Sequence, residues 1–142
     1  MLICGNGGGD TITGSITNDV VEAGEIGPGA LISGRDGNDR LRGSPGNDTL
    51  KGEEGDDVLI GADGNDQLEG GSGENRYLPG DGNNTITGGD GLDVVFFDGD
   101  KADYTGLNSC TRTTCSITIN NQTTTITKGE VLVFRDGRFD LR

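Results

Sequence analysis

Histidine and tryptophan are absent from this chain of 142 residues, and aromatic residues make up only 4% of it. Without histidine, the chain cannot build the Ser–His–Asp or Cys–His arrangements of nucleophilic catalysis. With only three scattered cysteines besides, it also lacks a ligand set of the usual kind for zinc. We therefore expect a protein that is not an enzyme.

Long apolar runs and basic residues are also scarce. No segment approaches the roughly 20 apolar residues of a transmembrane helix, and the start, MLICGNGGGD, lacks the basic and apolar regions of an N-terminal secretory signal. Eleven basic residues stand against 24 acidic ones, for a net charge of −13. Such a surface repels nucleic acid and anionic lipid and attracts cations. The sequence predicts no nucleic-acid partner and no membrane span.

A nine-residue period separates this glycine-rich chain from a disordered one. Units aligned on Asp follow the frame GGxGxDxUx, in which U is a large apolar residue. Position one is Gly in eight of nine units, position six is Asp in seven and Asn in two, and position eight is apolar in all nine. Residues 23–33, AGEIGPGALIS, break the frame with eleven residues instead of nine. The units begin at Gly5, Gly14, Gly34, Gly43, Gly52, Gly61, Gly70, Pro79 and Gly88.

Each unit is predicted to form a six-residue turn followed by a three-residue strand. Gly at positions one and four permits the positive φ of a tight turn, and alternation along the strand directs U to one face. One apolar side chain per unit cannot offset the entropy of ordering the backbone, at about 1–2 kcal/mol per residue. The fold therefore needs another source of stability.

Calcium meets that need, because it takes six to eight oxygen ligands, including carboxylates and backbone carbonyls. Glycine-rich turns expose carbonyls, and position six places a carboxylate at the mouth of each turn. Magnesium fits less well, since it demands a stricter octahedron. Asp and Asn also form turns without metal, but that alternative does not explain seven aspartates in one register. Several Ca²⁺ ions are predicted.

The units from Gly34 to Phe96 resemble the nonapeptides of the RTX (repeats-in-toxin) family. The resemblance implies an all-β fold, a right-handed parallel β-roll with two nonapeptides per turn and Ca²⁺ between stacked loops eighteen residues apart. It implies two principal pairs of ligands and three weaker pairs in which Asn offers a neutral oxygen. The principal pairs are Asp39 with Asp57 and Asp48 with Asp66, and the weaker ones are Asp57 with Asn75, Asp66 with Asn84, and Asn75 with Asp93.

Carbonyls two and four residues before each Asp are the predicted backbone ligands, because alternate residues of an extended loop face the same way. At position four they belong to Gly37, Gly46, Gly55, Gly64, Gly73 and Gly82, and at position two to Arg35, Ser44, Glu53 and Ala62. Asp10 and Asp19 are candidate ligands in imperfect units. Twenty residues separate Asp19 from Asp39, so a bulged loop is expected, and site formation at this end stays open.

The chain is predicted to divide into a β-roll at residues 1–96, irregular at 23–33, and a C-terminal β capping segment at 97–142. SITI and QTTTITK flank Asn120-Asn121, which predicts a β-hairpin, and EVLVF followed by RDGRFDL predicts two further strands. The segment resembles the caps that follow RTX repeats in secreted bacterial proteins, and a solenoid needs such a cap for its open edge. Cys110 and Cys115 have a spacing suited to a disulfide, with free thiols as the alternative.

These features predict a Ca²⁺-binding module that folds on binding the ion and is part of, or accessory to, an exported bacterial protein, secreted or at the cell surface. In the RTX family such folding is thought to ease type I secretion, but the ending Phe139–Arg142 departs from the acid-then-apolar ending common there. The alternative is a surface-binding β-solenoid, adhesive or glycan-binding, with structural Ca²⁺. Its partner would be a surface or glycan ligand rather than a larger parent protein.

Overall fold

The structure is a computed structural model that describes residues 2–4, 11–15, 17–24, 28–107, 110–111, 113–128 and 131–140. Short strands and one 3₁₀ turn, Lys101–Asp103, make up the regular structure of these residues. None of their helices is long and apolar enough to span a membrane. The strands are β1 (Leu2–Cys4), β2 (Thr11–Thr13), β3 (Val20–Glu22), β4 (Leu31–Asp36), β5 (Arg40–Arg42), β6 (Thr49–Glu54), β7 (Val58–Ile60), β8 (Gln67–Ser72), β9 (Arg76–Leu78), β10 (Thr85–Thr87), β11 (Val94–Phe96), β12 (Thr114–Ile119), β13 (Gln122–Thr127), β14 (Val131–Phe134) and β15 (Gly137–Asp140).

The strands form two sheets, and successive nonapeptides alternate between them. The first sheet has the order β1-β3-β5-β7-β9-β11-β14-β15, and the second has the order β12-β13-β10-β8-β6-β4-β2. Within the roll the pairing is parallel, with Leu41 opposite Leu59 in one sheet and Leu50 opposite Leu68 in the other. The predicted all-β roll with two nonapeptides per turn is confirmed.

Position eight of the repeat supplies the core. Because alternate units belong to opposite sheets, their apolar side chains form two files that face each other between the sheets. Each fully buried Leu, Ile or Val contributes about 1.5–3 kcal/mol relative to exposure. All nine predicted side chains are buried: Ile12, Val21, Leu41, Leu50, Leu59, Leu68, Tyr77, Ile86 and Val95.

The stretch 23–33 interrupts the sequence frame, but its second half takes part in the fold. Thr11 of β2 lies opposite Leu31 of β4, which in turn lies opposite Thr49. Ile32 is fully buried in the same file as the position-eight residues. Ala30 stands where the other units have Asp or Asn, and its N–H donates to the Asp48 carboxylate of the next turn. The eleven residues are therefore an irregular unit that keeps its strand and loses its carboxylate.

The C-terminal segment continues both sheets before it closes them. Strands β13 and β14 pair in parallel with β10 and β11, so that buried Ile126 and Leu132 extend the two files. Strands β12 and β15 then pair antiparallel with β13 and β14 and form the outer strands. The predicted hairpin at Asn120-Asn121 is confirmed, with φ of 48° and 64° at the two turn residues.

Two further contacts tie the cap together. Phe97 stacks on Phe134 with ring centroids 5.3 Å apart, and Tyr104 packs against both rings. Cys110 and Cys115 lie at disulfide distance, with their Cα atoms 4.3 Å apart. The aromatic cluster joins the end of the last nonapeptide strand to the cap strand β14.

Candidate metal centre

The six-residue turns stack along two edges of the roll and carry the predicted ligands inward. Position-six side chains are buried in every described unit, although they are carboxylates and amides: Asp19, Asp39, Asp48, Asp57, Asp66, Asn75, Asn84 and Asp93. We call the stack of turns 14–19, 34–39, 52–57, 70–75 and 88–93 the first edge, and the stack of turns 43–48, 61–66 and 79–84 the second edge. Asp10 lies outside the described residues, as do residues 25–27 of the irregular unit.

In the seven units from Asp39 to Asp93, one oxygen of this side chain is held by the neighbouring loop. The Asp57 Oδ1 accepts a hydrogen bond from the Asp39 N–H at 2.8 Å, and the Asp66 Oδ1 accepts one from the Asp48 N–H at 2.8 Å. Asn75 and Asn84 use their side-chain oxygens in the same way, toward the N–H groups of Asp57 and Asp66. Since Asp and Asn both supply this oxygen, the contact explains why either residue fits position six.

The second carboxylate oxygen has no donor in three loops. Among the described residues, the Oδ2 atoms of Asp39, Asp57 and Asp66 are buried without any hydrogen-bond partner. A buried acceptor left without a donor costs about 1–3 kcal/mol, and more when it is charged. A carboxylate buried in this way is either protonated or stabilised by a cation beside it.

A backbone oxygen converges on the same place in each of these loops. The Asp57 Oδ2 and the Gly70 carbonyl oxygen are the atoms nearest to the point where a Cβ on Gly52 would lie. The corresponding carbonyl oxygens are those of Gly52 beside Asp39 and Pro79 beside Asp66. The Pro79 oxygen also accepts from the Asn84 amide at 3.4 Å. A carboxylate oxygen and a carbonyl oxygen brought together in this way form half of the oxygen cradle that a hard cation prefers.

This geometry corrects the explanation of the position-one glycines. None of the described ones adopts a positive φ. Most position-four glycines do, as at Gly55, where φ is 132°, and Gly46 is the exception. A Cβ on Gly52 would overlap the Asp57 carboxylate and the Gly70 carbonyl. Position one therefore excludes a side chain to leave room for converging oxygens, and the sequence-based prediction of positive φ there is wrong.

Burial without a counterion perturbs these carboxylates. It raises the pKa of Asp57 to about 6, with the charges of Asp39 and Asp56 acting in the same direction and the Asp39 N–H acting against them. Burial likewise raises the pKa of Asp66 to about 7 and raises that of Asp39. A cation beside the carboxylates would favour their charged forms and reverse the direction of these shifts.

Other loops satisfy their carboxylates internally. The Asp48 Oδ2 accepts hydrogen bonds from the backbone N–H of buried Ser44 at 2.7 Å and from its hydroxyl. The Asp19 Oδ2 accepts from the Ser15 N–H at 2.6 Å, and the Asp93 Oδ2 accepts from the Gly89 N–H at 2.8 Å. These loops close in the manner of turns that need no metal.

The two asparagine loops are closed by their own amides. The Asn84 Nδ2 donates to the carbonyl oxygens of Pro79 and Gly80 at 3.4 and 3.3 Å. In loop 70–75, the Asn75 amide nitrogen and the Tyr77 hydroxyl lie beside Gly70, in the space where the Asp loops bring two oxygens together. In both loops an amide N–H group therefore occupies the place that the second carboxylate oxygen has in the Asp loops.

The predicted backbone ligands fall into two groups. Position-four carbonyls point along the roll axis, so that the oxygens of Gly37, Gly46, Gly55, Gly64 and Gly73 each lie against the position-four glycine of the next loop, Gly82 included. Position-two carbonyls belong to the ladder between turns, since the Ala62 oxygen accepts from the Asp81 N–H at 3.1 Å and Arg35 and Glu53 are in register. The sequence analysis did not predict the position-one carbonyls as ligands. In the sequence, only the glycine at position one indicates them, because it leaves space for the oxygens.

Position five carries a second ladder that sequence reasoning also missed. The Asn38 Oδ1 accepts from the Asp56 N–H at 3.0 Å, and the Asn65 Oδ1 accepts from the Asn83 N–H at 2.7 Å. This exposed ladder runs in the opposite direction to the one at position six, where the later loop supplies the oxygen. Together the two ladders join successive loops without a metal ion.

The donors favour calcium over the softer metals. No group of three or more His, Cys, Asp or Glu side chains comes together among the residues that the structure describes. An ion here would be held by one or two carboxylates and by backbone carbonyls, which are ligands that Ca²⁺ accepts. The residues present therefore fit a calcium ion.

The comparisons with known proteins agree with this chemistry. The family model of the RTX calcium-binding nonapeptide repeat matches the chain in four copies, at residues 5–25, 33–68, 42–77 and 69–101. Together these copies span most of the roll and end near Lys101. No curated protein matches the chain.

Proposed function

The chain belongs to the family of RTX calcium-binding nonapeptide repeats, and from this premise we propose that it is a Ca²⁺-dependent folding module. The observation that carries the proposal is the set of buried, unpartnered oxygens of Asp39, Asp57 and Asp66. The family itself is a structural, non-catalytic calcium-binding module. The proposal adds that folding of this chain depends on the ion.

The proposed ligands follow from the converging oxygens. On the first edge, Asp39 with the Gly52 carbonyl and Asp57 with the Gly70 carbonyl would each contribute to a site, and on the second edge Asp66 would act with the Pro79 carbonyl. The position-four carbonyls are the further candidates. Loops closed by Ser44, Asn75 or Asn84 hold their own hydrogen bonds, so we expect them to bind the ion weakly or not at all.

The mechanism is linkage between binding and folding. A chain with a net charge of −13 repels itself in the absence of cations. When bound, calcium supplies positive charge beside buried carboxylates, and its binding free energy becomes folding free energy. Extracellular calcium modules bind at about 10⁻⁴–10⁻³ M, so this chain would be unfolded inside a cell and folded outside.

Such a switch suits an exported protein. RTX repeats occur in exported bacterial proteins. We propose that this chain is secreted or displayed at the cell surface, as part of a larger protein or beside one, and that residues 97–142 cap the roll of residues 1–96. The chain would be exported unfolded and would fold outside the cell when it binds calcium. This is the purpose that the linkage between calcium binding and folding would serve.

The test is far-UV circular dichroism during a Ca²⁺ titration of the metal-free chain, with Mg²⁺ as the control. We expect a cooperative transition from coil to β at about 10⁻⁴–10⁻³ M Ca²⁺ and no transition with Mg²⁺ at the same concentrations. A metal-free chain that already gives the full β spectrum would contradict the proposal. The aspartate frame would then be turn chemistry alone.

A further inference from the structure

The outward faces of the two sheets differ in chemistry. On strands β6, β8 and β10 of the second sheet the residues that flank the buried file are polar, as at Thr49, Lys51, Gln67 and Glu69. On strands β5, β7, β9 and β11 of the first sheet they are apolar or arginine. We call this face, formed by Arg40, Arg42, Val58, Ile60, Arg76, Leu78, Val94 and Phe96, the arginine–apolar face.

Two of the three arginines of this face, Arg40 and Arg76, lie among apolar side chains rather than acids. Arg40 lies opposite Val20 and Val58, and Arg76 lies opposite Val58 and Val94. Arg42 lies opposite Ile60 on one side and Glu22 on the other. All three arginines are exposed. The ion pairs of the described residues are Lys51 with Glu69 and Arg135 with Asp100, so that none involves this face. In a chain with 24 acids and 11 bases, two arginines with only apolar residues directly opposite them are unusual.

A groove continues the face toward the cap. It has a volume of about 390 Å³. Apolar and aromatic residues line it, among them Leu78, Phe96 and Tyr104, together with the two acids Asp81 and Asp98, so that it suits an uncharged anchor side chain rather than a carboxylate. Leu78 is 38% exposed at its floor. The groove is wide enough for one large apolar side chain, and pockets of this kind receive the anchor residues of protein interfaces.

We propose that the arginine–apolar face docks an acidic, apolar polypeptide segment of a partner, whose carboxylates meet Arg40 and Arg76 and whose anchor side chain enters the groove. Charge complementarity carries the choice of partner, because arginine is the residue best suited to carboxylates at partly desolvated interfaces. This inference rests on the proposed function in one respect, because docking requires the chain to be folded with calcium bound.

Two other occupants fit the charges less well. A second copy docked through the same face would bring arginines and apolar residues together and leave the arginines without carboxylates. An anionic membrane would meet the exposed acids that border the face, Glu54 and Asp56 on the first edge and Asp63 and Asp81 on the second.

The test uses a short helical peptide with a leucine stripe flanked by glutamates, titrated into the ¹⁵N-labelled, calcium-loaded chain. A matched peptide with lysines in place of the glutamates is the control. We expect the glutamate peptide to shift amide resonances of β5, β7, β9 and β11. The Arg40→Gln/Arg76→Gln variant should weaken its binding by about fivefold or more, whereas Lys51→Gln on the opposite face should not.

Leu78→Ser probes the groove, because this exposed side chain can be changed without opening the core. It should weaken binding of the same peptide severalfold while the β spectrum stays unchanged. Shifts confined to the second sheet or the loops, equal effects of Lys51→Gln and the arginine variant, or a dimer of the free chain in sedimentation would each overturn the proposal. If the chain fails to fold with calcium, the proposed function fails instead, and circular dichroism of the same sample distinguishes the two failures.

Discussion

The buried carboxylate of Asp57 distinguishes metal binding from turn formation at the residue scale. Asp57→Asn keeps the oxygen that accepts from the Asp39 N–H and replaces the unpartnered oxygen with a donor, as Asn84 does in its own loop. We expect the Ca²⁺ concentration at the folding midpoint to rise, by about two- to tenfold, because one charged ligand is lost. Far-UV circular dichroism during a calcium titration measures the midpoint.

Asp63→Asn is the control, since it removes the same charge from an exposed side chain of a neighbouring loop. Its midpoint should stay close to that of the unaltered chain. If Asp57→Asn left the midpoint unchanged, or if both variants shifted it equally, net charge rather than coordination would govern the response to calcium.

The raised pKa values of Asp57 and Asp66 give a pH dependence to the metal-free chain. Their folded-state pKa values of about 6 and about 7 lie above the ordinary value of 3.8. Protonation therefore favours the folded state, and this contribution is present at low pH and lost as the pH rises through that range. We expect more β structure in the metal-free chain near pH 5 than near pH 8.

A metal-free pH series followed by circular dichroism tests this expectation. The Asp57→Asn/Asp66→Asn variant is the comparison, because its amides do not titrate and its β content should change less over the same range. A metal-free chain that loses β structure on acidification would show that the buried carboxylates do not control this equilibrium.

Among the elements, the position-five ladder should stabilise the stacked loops whether or not calcium is present. Asn65→Ala removes the acceptor of the Asn83 N–H, a hydrogen bond of 2.7 Å on the second edge. Because the contact is exposed, we expect a loss of about 0.5–1.5 kcal/mol in the free energy of unfolding. Urea unfolding in saturating calcium measures it.

Asp63→Ala is the matched control in the same loop, since the Asp63 side chain is exposed and makes none of the ladder contacts. A difference between the two variants assigns the loss to the ladder rather than to truncation of a loop side chain. Equal stabilities would mean that water replaces the ladder hydrogen bond without loss.

The strands were predictable from sequence because a period-nine pattern with one apolar position repeats regardless of what binds the turns. Every position-eight residue from Ile12 to Val95 is buried as predicted. Ile32 was missed because two extra residues precede it and shift it out of the frame, although the sheet accepts it in register. The steric role of Gly52 was missed because a sequence pattern does not distinguish a glycine chosen for φ from one chosen for space.

For the candidate site, the sequence predicted which side chains point into the turns but not which of them lack a hydrogen-bond donor. Asp48 and Asp57 occupy the same frame position, yet the Ser44 hydroxyl and N–H satisfy the first, and the second has an unpartnered oxygen. That difference depends on the conformation of each loop, which the shared motif does not encode. The arginine–apolar face is not evident from the sequence, because its residues come from every second unit and lie together only in the first sheet.

For the whole molecule, the question is whether the roll and the cap fold as one unit. Leu132 and Ile126 of the cap extend the two files of the roll, and β13 and β14 pair with its last strands. In a solenoid, stability passes between neighbouring turns. Leu132→Ala should therefore destabilise the folded chain by about 2–5 kcal/mol and raise the calcium midpoint of the entire β transition.

Val133→Ala on the same strand is the control, because its side chain is only partly buried. Val133→Ala should lower the free energy of unfolding much less than Leu132→Ala. It should leave a single β transition with a calcium midpoint close to that of the unaltered chain. If Leu132→Ala instead gave two transitions, one unchanged and one lost, the cap would fold independently of the roll. A single shifted transition would mean that calcium bound in the loops also stabilises the cap through the shared sheets, because the last turn of the roll and the cap bury the same core.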